Sequence, residues 1–344
     1  MEYAFQLTPH PNANYRQALE KLGSAEIKCM FAALGREVSP RVISMGGVPF
    51  FVVDSPELDR EELAALSPMS CACLWARREG EALYPLERPE APYVPIDMAE
   101  VLKYKGKTNA AFTTLLLNLA RAHSAFARQE QPLTVLDPMC SKGTTLYCAL
   151  SQGMNAVGMD RDRRDLREAM DFVNRYLQLH RFKHSLNQGS RSVPKGPAIP
   201  EAVYTLANGR ASYQAGDTRT LRFLLGDARQ AGQLLRKTPA ELLVADLPYG
   251  VQHAPESGGN PDGRPGRPES FEQLLRRVLP AWREAVRPGG AMALSFNTFT
   301  VRRKALAEWA LEAGWKPLEQ PPLDDLAHDV EQAVNRDILI CLRP

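Results

Sequence analysis

The sequence predicts an α/β protein: a doubly wound, mostly parallel sheet preceded by a small α+β unit. Three observations carry this. From residue 133 onward, short apolar runs alternate with helical stretches, the mark of parallel strands joined by crossover helices. Four of those runs lead to an aspartate at or just past their end: Asp137, Asp160, Asp227 and Asp246. Residues 1–96 carry strand, helix and hairpin patterns of their own and close in a proline-spaced connector from Tyr84 to Pro95. The expected domains are therefore 1–96 and 97–344.

In chain order, Tyr3 to Leu7 reads as a strand, and Tyr15 to Leu22 and Ser24 to Leu34 as two amphipathic helices, the second stopped at Gly35. Arg41 to Ser44 and Val48 to Val53 pair around Gly46-Gly47. Glu57 to Leu66 and Met69 to Arg77 read as helices, giving a β-α-β-β-α unit of ferredoxin-like flavour.

After the basic segment Lys103-Tyr-Lys-Gly-Lys-Thr-Asn109 comes a helix over Ala110 to Arg128. The strand Leu133 to Leu136 leads into a helix from Thr144, and the strand Asn155 to Met159 into a helix over Arg164 to Gln178. Residues 183–218 are expected to be irregular, as are Pro255 to Pro268. Strands resume at Leu221 to Leu225 and in the stretch from Glu241, which ends in Asp246-Leu247-Pro248-Tyr249. The helix Phe271 to Val286, the strand Ala291 to Phe296, the helix Val301 to Ala313 and a closing strand pair, Trp315 to Glu319 with Ile338 to Leu342, complete the chain.

Composition bounds the partners. The 344 residues are 44% hydrophobic and 24% charged, values that permit a sizeable core. No apolar run nears the ~18 residues of a membrane span, and Met1-Glu-Tyr-Ala-Phe5 has no secretory pattern. Six scattered cysteines suit a reducing compartment, so the expected location is the cytoplasm. Cys71-Ala-Cys73 lacks zinc-knuckle spacing, and no metal is expected. Residues 1–100 hold nine Lys/Arg against fifteen Asp/Glu, a net of −6, whereas the remainder holds 33 against 25, a net of +8. A nucleic-acid footprint therefore belongs to the C-terminal part.

Two stretches carry chemistry. In Leu133-Thr-Val-Leu-Asp-Pro-Met-Cys-Ser-Lys-Gly-Thr144 a strand feeds a small-residue turn and then a helix N-terminus, which directs backbone N–H groups toward a ligand. The turn has neither the three glycines of a dinucleotide fingerprint nor the ending of a P-loop. In Glu241-Leu-Leu-Val-Ala-Asp-Leu-Pro-Tyr-Gly250 a strand ends in Asp246-Leu247-Pro248-Tyr249. There a carboxylate and a backbone carbonyl could accept N–H bonds from a ligand, proline fixes the backbone, and Tyr249 offers a stacking face.

The first stretch resembles motif I of the class I S-adenosylmethionine-dependent methyltransferases. The second resembles the Asp/Asn-Pro-Pro-Tyr/Phe signature of enzymes that methylate amines on bases. With the lead-in Tyr104-Lys-Gly-Lys-Thr108, the two are similar to the THUMP-associated tRNA guanine-N2-methyltransferases, over roughly residues 105–344.

The resemblance implies a Rossmann-like, doubly wound, mostly parallel seven-stranded sheet with S-adenosylmethionine as cofactor. It also implies methyl transfer to a guanosine N2 amine in RNA, tRNA above all. The cofactor site it implies comprises Asp137, Pro138, Cys140, Gly143, Thr144, Asp160, Arg161, Asp227, Ala228 and Asp246; the catalytic set is Asp246, Leu247, Pro248 and Tyr249. Lys103, Lys105, Lys107, Arg181, Lys183 and Arg191 are the expected RNA contacts.

Two departures stand out. Ser141 replaces the family's usual glycine, and residues 1–100 leave no room for a THUMP domain beside the leader, so tRNA is the less firmly implied part. The alternatives are a DNA adenine- or cytosine-amino methyltransferase and a non-catalytic binding protein of the same fold. Leu247, the lead-in helix and the lack of a DNA-recognition domain favour RNA; the presence of both Asp246 and Gly143 favours an enzyme.

Overall fold

Alternation of side chains between two faces builds the central sheet. In the computed structural model, which describes residues 1–10, 13–89, 91–104, 106–193, 196–248, 270–331 and 333–344, the strands β6 (Thr134–Asp137), β7 (Asn155–Asp160), β10 (Arg219–Leu225), β11 (Ala240–Asp246) and β12 (Val286–Asn297) lie parallel in the order β12-β11-β6-β7-β10. Successive residues of β11 enter opposite cores. Leu242 and Val244 pack toward α4 (Ala110–His123), α5 (Thr144–Ser151) and α6 (Arg163–Leu179). Leu243 and Ala245 pack toward α8 (Ala231–Leu235), α9 (Phe271–Ala285) and α10 (Arg303–Glu312). Helices on both faces make this the expected Rossmann-like, doubly wound sheet.

Among the described residues the sheet has ten strands rather than seven. Antiparallel β15 (Val334–Leu342) pairs with β12, β13 (Lys316–Leu318) closes that edge, and β14 (His328–Glu331) pairs with β15. At the other edge, β8 (Lys183–Arg191) and β9 (Ile199–Ala207) form a hairpin on β10. The expectation of an irregular 183–218 is thus corrected. Ala202, Tyr204 and Leu206 alternate into the core, and α7 (Arg210–Gln214) follows the hairpin. The other expected irregular stretch, Pro255 to Pro268, lies outside the described residues.

The N-terminal unit is a five-stranded antiparallel sheet in the order β2-β3-β1-β4-β5, built from β1 (Glu2–Leu7), β2 (Arg41–Met45), β3 (Val48–Asp54), β4 (Ala72–Glu79) and β5 (Ala82–Pro85). Its first four strands with α1 (Ala13–Ala33) and α2 (Arg60–Leu66) give the ferredoxin-like order. Two expectations are corrected here. Met69 to Arg77 is not a helix: β4 pairs with β1, Phe5 opposite Trp75. The two helices before Gly35 are one, running through Gly23, where a Cβ would sit 2.7 Å from the Phe51 ring and 2.9 Å from Cys71. The small residue is there for close packing.

One core runs from this unit into the large sheet, holding Phe5, Phe31 and Leu115 together. Glu26 of α1 is fully buried and accepts from the Ser70 backbone at 2.9 Å and from Asn118 of α4 at 2.6 Å. Burial raises its carboxyl above the ordinary range. No described helix is long and apolar enough to cross a membrane.

Candidate active site at the carboxyl rim of the sheet

The chain runs outward from β6 through β7 to β10 on one side, and from β11 to β12 on the other. The reversal lies between β6 and β11, where open α/β sheets hold their ligands. Asp137 and Asp246 end the two strands that flank it. Asp160 ends β7, and Asp227 stands two residues past β10, so four neighbouring strands deliver four acids to one rim.

Asp137 is 3% exposed and accepts the Met139 N–H at 3.0 Å. Burial pushes its carboxyl up to about 7; hydrogen bonds from Thr145 and Met139 oppose this, and the like charges of Asp160 and Asp246 add to it. Pro138 is buried beside it. Cys140 N–H donates to Met159 at 2.9 Å, tying the turn to β7.

Ser141 adopts a left-handed φ of 45°, a backbone region that glycine enters most readily. Its N–H donates to Asp160 Oδ2 at 2.8 Å and its hydroxyl to Asp165 at 2.8 Å, so side chains hold the strained backbone in place. Gly143, at φ 92°, opens α5, and a Cβ there would sit 3.0 Å from the Tyr147 ring. The Thr144 hydroxyl meets Tyr104 of the lead-in segment at 2.9 Å.

Asp160 also accepts the Asp162 N–H at 2.9 Å, and burial raises its carboxyl. Asp227 differs. Burial would raise it, but the Arg229 guanidinium, bonded at 2.7 and 2.8 Å, and the nearby Arg161 hold it below the usual carboxylate range. Arg161 is exposed; Ala228 is buried, and its carbonyl accepts from Trp282 at 3.2 Å.

At the end of β11, the Thr108 hydroxyl donates to Asp246 Oδ2. The Arg336 guanidinium approaches the same oxygen at 3.6 Å. Arg336 is 6% exposed, packs over the Phe112 ring at 4.7 Å, and lies opposite Asn297 in the β12–β15 register. Leu247 is buried, and its N–H donates to Ser295 at 2.8 Å, which fixes the start of the Leu247-Pro248 segment. Tyr249 lies outside the described residues.

Thr108 was within a segment legible as a lead-in, but its partnership with Asp246 was not. Nothing around Arg336 in the sequence signalled a role; only the sheet order brings it to the rim.

The expected RNA contacts are dispersed. Lys103 is exposed, and Lys105 lies outside the described residues. Lys107 donates to the Glu100 and Leu102 carbonyls at 3.0 and 2.8 Å, and burial lowers its ammonium pKa. Arg191 pairs with Glu201 at 2.9 Å. Arg181 and Lys183 are exposed at the start of β8, and Lys183 lies opposite Ala207. That is the edge of the sheet away from the acids, because Glu201, at the other end of the hairpin, faces Leu224.

No protein-family model matches the chain, and no curated protein matches it. Solved structures similar to it include TrmN from Thermus thermophilus, at 19% identity and a TM-score of 0.41, covering 92% of this chain and 64% of that one. The chain thus spans under two thirds of TrmN. The rRNA methyltransferase aviRa from Streptomyces viridochromogenes is 12% identical with a TM-score of 0.39, covering 71% of this chain and 89% of that one. TehB from Haemophilus influenzae is 10% identical with a TM-score of 0.37, covering 100% of this chain and 85% of that one.

Proposed function

We propose that the chain is an S-adenosylmethionine-dependent methyltransferase acting on the exocyclic N2 amine of a guanosine in RNA, with tRNA as the substrate. The observation that carries this is that Asp137 and Asp246 end the two strands that flank the switch point. When bound, the cofactor supplies a methyl group on a cationic sulfonium. The residues fit such a group: Asp137 is a buried acid with like-charged Asp160 and Asp246 acting on it, and a cationic ligand is the counter-charge that would let it ionise. Asp160 and Asp227 would accept from ribose hydroxyls and the adenine edge.

Asp246 and the carbonyl of Leu247 would accept the two N–H bonds of the target amine. This turns its lone pair toward the methyl donor for in-line displacement. The methylated nitrogen then loses its extra proton readily, so Asp246 serves as an acceptor that orients the amine rather than as a strong base. Thr108 and Arg336 on Oδ2 support that role by fixing the carboxylate. Tyr249 would stack on the base. We place the domain boundary at residue 96 as part of this proposal, with α1 of the leader packed against α4.

The test is transfer of labelled methyl from the cofactor to total tRNA, rRNA and DNA side by side, followed by nucleoside analysis. N2-methylguanosine in tRNA is the expected product. Labelled adenine or cytosine in DNA would select the rival enzyme, and no transfer to any of the three would favour a binding protein.

A further inference from the structure

Beyond the four acids, the carboxyl rim carries a displayed aromatic ring with two cations close behind it in sequence. Phe299 is 70% exposed, the most exposed aromatic side chain among the described residues. It sits on the turn that ends β12, the strand whose Ser295 pairs with Asp246.

This turn is tightly held. The Phe299 N–H donates to Asn297 Oδ1 at 3.1 Å, the Thr298 N–H to the Asn335 carbonyl at 2.8 Å, and the Thr298 hydroxyl to Asn335 Oδ1 at 2.8 Å. Asn297 lies opposite Arg336, the partner of Asp246, so the turn joins the amine-orienting site directly. Arg302 and Lys304 follow, both exposed. Neither has a side-chain hydrogen bond or ion pair among the described residues, whereas the intervening Arg303 is bound to Asp337 and the Leu323 carbonyl.

We propose that Phe299, Arg302 and Lys304 form an RNA-contact platform, in which the ring stacks on a base flanking the target guanosine and the two cations contact the phosphates beside it. The proposal rests on the RNA methyltransferase function and extends it to a surface none of the expected RNA contacts occupy. An exposed ring held by a rigid turn loses little freedom when a base stacks on it, and stacking tolerates any base. Unpaired cations lose no internal partner on meeting phosphate, and they set the salt dependence of binding. A protein partner would be met as well by the ring; the two exposed cations that follow it in sequence favour nucleic acid.

The ring and the cations make separable predictions. Binding of the full chain to total tRNA is measured by filter retention over a range of salt, with methyl transfer followed in parallel. Phe299→Ala should weaken binding about tenfold and leave the salt slope unchanged; Phe299→Trp should restore it. The double variant R302Q/K304Q should lower the magnitude of the slope of log affinity against log salt by about 1.5.

Wild-type affinity and slope in all variants, with wild-type methyl transfer intact, would overturn the platform while leaving the proposed function standing. Retained RNA binding by a wild-type chain that transfers no methyl would overturn the function, and Phe299 would then be judged on binding alone. Equal loss in Phe299→Ala and Phe299→Trp would mark the residue as structural and overturn the stacking role.

Discussion

Arg336 on β15 reaches past the intervening strand β12 to Asp246 on β11, its guanidinium nitrogen 3.6 Å from the carboxylate. A buried arginine left without its acid is costly. Asp246→Ala should therefore lower stability by about 2 kcal/mol, measured by denaturant unfolding. Arg336→Met should slow methyl transfer at saturating RNA without changing cofactor affinity, and Arg336→Lys should recover part of the rate. An unchanged rate for Arg336→Met would show that Asp246 is positioned without it.

Asp137 gives a pH dependence whose sign follows from its burial. Its carboxyl titrates near about 7 in the folded chain instead of 3.8, so between those values the folded chain holds a proton that the unfolded chain has lost. Stability from this group is present at the acid end, falls as pH rises through that interval, and levels off above about 7.

A bound cation favours the ionised form. Affinity for S-adenosylmethionine should rise about tenfold from about pH 6 to about pH 8, with proton release detectable by calorimetry in buffers of different ionisation heat. Asp137→Asn should flatten the curve; a flat wild-type curve would remove Asp137 from the cofactor site.

Ser141 tests the motif turn. Its left-handed backbone costs about 1 kcal/mol, and its hydroxyl bond to Asp165 recovers a similar amount. Ser141→Gly should change stability by less than about 1 kcal/mol and keep cofactor affinity. Ser141→Val, branched at Cβ and without a hydroxyl, should lower both, as read by thermal melting and calorimetry.

Much of this site was legible because its residues end apolar strands that alternate with helices. Asp137, Asp160 and Asp246 needed only the alternation of apolar runs and helices to be placed on one rim. Contacts between distant segments were not legible: Thr108 and Arg336 meet Asp246 across 138 positions and across the sheet order. β4 read as a helix because Met69 to Arg77 has no strict alternation, and its pairing with β1 decided the outcome. The polar strand β8 hid the hairpin, since only β9 alternates into the core.

Single-turnover methylation by Asp246→Ala at saturating cofactor, on the RNA that the wild-type chain labels, tests the central claim most directly. The variant should lose about 100-fold or more in rate while keeping most of its cofactor affinity, which also shows that it is folded. Transfer at the wild-type rate would contradict amine orientation by Asp246 and, with it, the proposed mechanism.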